Sequence, residues 1–198
     1  MSQSAPTLIH RPQSFVEPLP VRELFPLQQP LEVELGSGDG SFLAQYAGAR
    51  PDLNFFGVER LLGRLRKLDR KGLRGGLQNL RLVRIEAGYF IEFLLPRNTA
   101  QAIHIYFPDP WPKRKHRKNR LINDRFPILA SHALRPEGVV YLRTDDADYF
   151  SQMNDVFSSR SQFHRCETPA ALSAIHTDFE RSFHAKGIPT LITAYQRL

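Results

Sequence analysis

From residue 31 onward, short apolar runs alternate with longer stretches whose apolar residues recur at helical spacing. Leu31-Glu32-Val33-Glu34-Leu35 alternates with period two and predicts a strand. Asn54 to Glu59, Leu80 to Ile85, Ala102 to Phe107 and Val139 to Arg143 predict four more, the fourth in order being stopped by Pro108. Thr190 to Tyr195 alternates as a terminal strand would. Between them fall a helix from Ser41 and a basic helix with Leu61, Leu65 and Leu68 on its inner side. A helical stretch from Arg120 to Leu134 comes next, which Pro127 must kink or restart, and another runs from Asp146 to Phe157. Arg135-Pro136-Glu137-Gly138 predicts a turn.

Strand–helix alternation of this kind predicts an α/β fold, a doubly wound and mostly parallel sheet with helices on both faces. Residues 31–198 form a single domain in this reading. Residues 1–30, rich in Pro, Gln and Ser, form an arm that is loosely ordered or lies over it. Open sheets of this class bind ligands outside the carboxyl ends of their strands. Each of the five internal strands ends in, or leads into, an acidic residue: Glu34, Glu59, Glu86, Asp109 and Asp145. The fold would line these carboxylates along one sheet edge.

Composition narrows the classes. With 198 residues, 41% hydrophobic and 24% charged, the chain can bury a substantial core. One cysteine, Cys166, excludes an internal disulfide framework and a zinc-ligand set, and fits a reducing, cytoplasmic setting. No apolar run approaches a membrane span, and the start lacks a signal-peptide pattern. A net charge of +7 favours polyanionic partners, nucleic acid first.

That charge is concentrated. In Phe107-Pro108-Asp109-Pro110-Trp111-Pro112-Lys113, a carboxylate sits between two prolines, which stiffen the backbone around it. Six of the eight residues from Lys113 to Arg120 are Lys or Arg. A rigid carboxylate beside an aromatic ring and a cationic run suits a site that holds a nucleobase while cations hold phosphates. The second basic stretch, with Arg60, Arg64, Arg66, Lys67, Arg70, Lys71 and Arg74, reads as a solvated helix face. Trp111 is expected to pack against the sheet edge, with stacking on a base as the alternative. His104, in an apolar strand, is expected to be a satisfied core residue.

Glu34-Leu35-Gly36-Ser37-Gly38-Asp39-Gly40 is a glycine-rich turn between strand and helix. Its spacing is G-x-G-x-G, so the dinucleotide pattern is not met, and it lacks the Gly-Lys-Ser/Thr end of a phosphate loop. Glu34 and Asp39 would repel a pyrophosphate. A cofactor without phosphate and with positive charge is tolerated, and S-adenosylmethionine fits. Glu59 at the next strand end suits the ribose hydroxyls, and Glu86 lies where the adenine amino group is expected.

Asp109-Pro110-Trp111-Pro112-Lys113 with His116 and Lys118 closely resembles the signature of the bacterial tRNA (guanine-N7-)-methyltransferase family. The resemblance runs from about Leu31 to Tyr195 and includes the glycine turn, Gly57-Val58-Glu59, Thr144-Asp145 and Thr177-Asp178-Phe179-Glu180. It implies a Rossmann-like methyltransferase fold and methyl transfer from S-adenosylmethionine to N7 of the variable-loop guanine, position 46, of tRNA. It implies that Glu34, Gly36, Gly38, Gly40, Glu59, Glu86 and Asp109 hold the cofactor. Lys113, Asp145, Thr177, Phe179 and Glu180 would hold the guanosine, and Arg114, Lys115, Arg117, Lys118 and Arg120 the phosphates. The chain departs from the family in having Glu86 where Asp is usual, and in an arm without the common basic segment. Thr177 with Glu180 three residues on also reads as a helix capping box.

Guanine N7 carries an in-plane lone pair and no proton, so no general base is needed to make it a nucleophile. Asp109 is the expected catalytic residue, a carboxylate facing the positive charge that develops on the purine. No metal is expected, because transfer from a sulfonium needs no Lewis acid, and no obligate protein partner is evident. Two other readings stand beside this one: a methyltransferase acting on another RNA, and a non-catalytic RNA-binding protein on the same fold.

Overall fold

The computed structural model describes residues 6–198. Residues 1–5 of the arm lie outside the described residues. The arm supplies a short edge strand, β1 (Ile9–His10), and a 3₁₀ turn (Val21–Glu23). The domain then continues with β2 (Leu31–Leu35), α1 (Leu43–Ala49), β3 (Asn54–Val58), α2 (Leu62–Arg74) and β4 (Leu80–Val83). A short α3 (Ala87–Tyr89) runs into a π-helical turn (Phe90–Leu94), and β5 (Ala100–Tyr106) leads to a 3₁₀ helix (Arg114–Asn119). The chain closes with α4 (Phe126–Ala133), β6 (Leu134–Thr144), α5 (Ala147–Ser158), β7 (Phe163–Cys166), α6 (Ala170–Ser173), α7 (Asp178–His184) and β8 (Leu191–Arg197).

The eight strands form one sheet in the order β1-β4-β3-β2-β5-β6-β8-β7. The first six strands in that order pair in parallel, and β8 joins β6 and β7 antiparallel. β2 and β3 are buried at every position, as strands covered on both faces must be. One core unites Val33, Phe56, Ile103 and Val140 with Phe90, Phe126 and Met153. The opposite face packs Phe55, Leu80 and Leu82 against Leu43, Tyr46, Leu65 and Leu68. The doubly wound reading is therefore realised. After the edge strand β1, the chain enters the middle of the sheet at β2, winds out to β4 and returns to β5, so the strand order switches between β2 and β5. Their carboxyl ends flank the crevice where such sheets bind ligands.

Two boundaries differ from the sequence reading. The expected turn at 135–138 lies inside β6, where the register with β5 shifts between Ala100 and Ala102 and Glu137 takes φ 63°. It is a bulge in a long strand rather than a chain reversal. The expected helix at 120–134 begins only at Phe126, with Pro127 in its first positions. A helix tolerates proline there because that N–H has no partner within the helix. β1 and β7 carried too few apolar residues to be read as strands. The arm is anchored: Leu19 and Phe25 join the core, and Leu19 N–H donates to Leu94 O at 2.8 Å.

Candidate active site

A cleft of about 310 Å³ opens at the carboxyl ends of β2, β3, β4 and β5. Gly36, Glu59, Glu86 and Asp109 line it, together with Tyr106 and Trp111. A larger recess of about 560 Å³ lies at the amino ends of β2 and β3, beside Leu31 and Asn54, and no carboxylate lines it. The chemistry gathers at the first.

The glycine turn is shaped by its neighbours. Gly36, Gly38 and Gly40 all have positive φ. At Gly40 an added Cβ would stand 2.2 Å from Leu68 Cδ1 of α2, so glycine is what allows the turn to seat on that helix. Glu59 ties the turn to the next strand. Its Oε2 accepts from Gly38 N–H at 3.1 Å and its Oε1 from Leu61 N–H at 2.6 Å. Each oxygen keeps a lone pair for a ligand hydroxyl. Glu86 accepts from Gly88 and Tyr89 N–H at 2.9 and 2.7 Å, which orients its carboxylate at the start of α3.

Glu34 is nearly inaccessible behind the turn, and its Oε2 has no hydrogen-bond partner; the Ser37 hydroxyl is equally alone. Burial raises the Glu34 carboxyl to about 8; the Arg143 guanidinium opposes that rise, and Asp39 and Glu59 add to it. A buried, unpaired carboxylate beside a glycine turn fits a cationic ligand group better than an anionic one. Gly38, Gly40 and Glu34 do not themselves line the cleft; they set the form and charge of its floor.

The segment after β5 builds the opposite wall. Phe107 and Trp111 both adopt positive φ, at 52° and 43°, a conformation costly for aromatic residues and characteristic of shaped sites. Asp109 is exposed between them. Trp111 is 36% exposed at the cleft rim, with its ring edge-on to His116 at 5.9 Å. It is therefore at the cleft mouth, not packed into the sheet edge.

Arg120 corrects the expected phosphate set. It is fully buried: its Nε donates to Pro110 O at 2.7 Å, and its terminal nitrogens reach Gln152 and Asp148 at 2.6 Å each. It buckles the Pro108–Pro112 segment onto α5. Lys113, just ahead of the 3₁₀ helix, and Arg114, Lys115, Arg117 and Lys118 on it remain exposed, with Arg117 paired to Asp148 at 2.8 Å.

The expected guanosine-binding residues divide in two. Thr177 and Glu180 are buried and form the capping box of α7, with Glu180 also paired to Arg143. Their side chains are spent inside the protein. Phe179 is half exposed, and its ring meets Phe107 at 6.4 Å, bringing the tail to the Asp109 segment. Asp145 is partly exposed at the end of β6. His104 is the satisfied core residue expected, with Nε2 2.7 Å from Glu32 and Nδ1 2.9 Å from the Tyr106 hydroxyl.

Sequence reasoning missed Arg60 and Arg64 as cleft-lining residues. The available signal is that Arg60 directly follows Glu59 and Arg64 lies in the first turn of the next helix, so a strand that delivers Glu59 to the cleft brings both there.

The family model described as "Putative methyltransferase" (Methyltransf_4) matches residues 28–191. A tRNA (guanine-N(7)-)-methyltransferase of Rubrobacter xylanophilus is 32% identical, over 83% of this chain and 75% of the relative. One of Syntrophotalea carbinolica is 35% identical over 70% of this chain, which spans 60% of that relative's length. Among solved structures, the 16S rRNA methyltransferase KamB superposes with a TM-score of 0.66 at 13% identity, over 89% of this chain and 92% of that one, a likeness of fold. The chain belongs to the tRNA (guanine-N7-)-methyltransferase family.

Proposed function

We propose that the protein transfers a methyl group from S-adenosylmethionine to N7 of the variable-loop guanine, position 46, of tRNA. The observation that carries this reading is the convergence of Gly36, Glu59, Glu86 and Asp109 on one cleft whose rim leads into the exposed cations of residues 113–118. The relatives' shared name supports the substrate and the atom.

S-adenosylmethionine supplies an electrophilic methyl on a sulfonium. Glu59 offers two oriented oxygens for ribose hydroxyls, and Glu86 an oriented carboxylate for an exocyclic amine. Glu34, buried without a partner, favours positive charge near the turn. Asp109 faces the cleft from a backbone fixed by Pro108 and Pro110, and by Arg120 through the Pro110 carbonyl. Methyl transfer to N7 would leave positive charge on the purine. A carboxylate already in place stabilises that charge without reorganising. Asp109 can also accept from guanine N1–H and N2–H₂, which adenine cannot match. Lys113 and its neighbours hold phosphates, and Phe179 with Phe107 offers a face on which an unstacked base can rest.

The reading is tested with transcripts of one tRNA carrying guanine or adenine at position 46. Transfer to the guanine transcript alone supports it. Equal transfer to both contradicts the assigned position.

A further inference from the structure

The outward face of α2 has a composition that works against helix stability. Arg60, Arg64, Arg66, Lys67, Arg70 and Arg74 are all exposed, and among the described residues none of them pairs with a carboxylate. The first turn holds no acid, although the partial positive charge of a helix start favours one. Like charges spaced three or four apart repel, and Arg60, Arg64, Lys67, Lys71 and Arg74 keep that spacing along one ridge, with Arg66 and Arg70 beside it. The one acid within α2, Asp69, accepts from Leu8 N–H at 2.7 Å and the Thr7 hydroxyl at 3.1 Å on the arm. Lys71 alone has a partner, Asp39 at 3.2 Å.

The ridge also has a direction. Arg60 and Arg64, at its start, line the cleft opposite Asp109 and Trp111. From there, 13 helical residues carry the cations away for about 20 Å at 1.5 Å per residue. The inner face is closed by Leu65, Leu68 and Gly72, which are buried against the sheet, so no broad apolar face remains for a lipid surface. A row of cations, all but Lys71 unpaired among the described residues, on a rigid rod matches the closely spaced phosphates of a double-stranded RNA arm.

We propose that α2 is a second phosphate-binding wall, gripping a duplex arm of the tRNA while the cations of residues 113–118 grip the other side of the target nucleotide. The proposal rests on the tRNA reading above and extends it. Substrate RNA would lie across the cleft between two basic walls.

The test is the variant carrying Lys67→Gln, Arg70→Gln and Arg74→Gln, none of which lines the cleft. Its affinity for S-adenosylmethionine should equal that of the unsubstituted protein, and its melting temperature should not fall, because like charges have been removed. With full-length tRNA its KM should rise by about tenfold at unchanged kcat. The slope of log Kd against log salt should lose roughly 2–3 units, one contact each. Arg70→Gln alone, as a milder second variant, should lose about one unit. Unchanged KM and salt slope in a folded variant, while the parent methylates tRNA, would overturn the second wall and leave the function standing. A parent protein that binds anionic vesicles but no RNA would overturn both.

Discussion

The guanidinium of Arg143 meets the carboxylate of Glu180 at 3.0 Å, with both side chains out of water. Arg143 sits near the end of β6, and Glu180 in the first turn of α7. The same guanidinium donates to the carbonyls of Leu172 and Ile175 and lies over the Tyr106 ring at 4.2 Å. One side chain therefore fastens the tail to the carboxyl-end edge of the sheet and brings Phe179 beside Phe107.

Removing one partner of a buried pair leaves an uncompensated charge. Arg143→Met should cost about 3–5 kcal/mol in denaturant unfolding. Hydrogen exchange across residues 172–184 should quicken more than across β2 and β3. Exchange that quickens uniformly would show that the pair does not specifically hold the tail.

Two carboxylates on the same face of β2 are shifted in opposite directions. Burial pushes Glu32 up, but hydrogen bonds from His104 and Gln101 and the charges of His104 and Arg50 outweigh it and hold the group below its usual range. Glu34, without such bonds, is raised to about 8 by burial, against the pull of Arg143 and with Asp39 and Glu59 adding to the rise. The depressed group stabilises the fold above about pH 4.5 and loses that contribution as pH falls through its folded value. The raised group does the reverse, contributing fully below about pH 4.5 and losing ground as pH rises towards 8. Between pH 5 and pH 8.5 the cofactor-free protein should lose at least about 1 kcal/mol, and Glu34→Gln should flatten that slope. The check is urea unfolding at both values. A parallel slope in the variant would place the titration elsewhere.

Asp109 faces the cleft with its carboxylate bonded to no other side chain among the described residues, so its removal should not disturb the fold. Asp109→Ala should lower kcat by a hundredfold or more, in the range of about 3 kcal/mol for a preorganised electrostatic group. Its cofactor affinity should fall far less, measured by titration calorimetry. Near-normal kcat would end its catalytic assignment.

Arg120 and Lys118 are two residues apart in a run that looks uniform in sequence, yet they should behave differently. Arg120→Met should destabilise by about 1–3 kcal/mol through lost hydrogen bonds, since Asp148 stays half in water. Lys118→Ala should leave the melting temperature unchanged and weaken tRNA binding, with a smaller salt slope. Matching thermal melts for the two variants would contradict the buried role.

Much of the fold could be read from the sequence because parallel strands buried on both faces give dense apolar runs, as in Asn54 to Val58. The acidic strand ends were legible for the same reason: a strand that leads into Glu59 or Asp109 delivers that carboxylate to the cleft. Direction within a charged run was not legible. Whether Arg120 points inward depends on the Pro110 carbonyl and on Asp148, which the chain brings close only after folding. The Thr177–Glu180 cap could be read locally, but its pairing with Arg143 spans 37 residues and leaves no local trace. Pro127 and Glu137 misled in opposite senses, one marking a helix start and the other a bulge inside a strand.

The most direct test of the central claim is methyl transfer from labelled S-adenosylmethionine to unmodified tRNA, with nucleoside analysis of the product. The account predicts label in 7-methylguanosine at the variable-loop guanine, and its near-complete loss with Asp109→Ala. Label in any other nucleoside, or none on tRNA that the protein still binds, would contradict it.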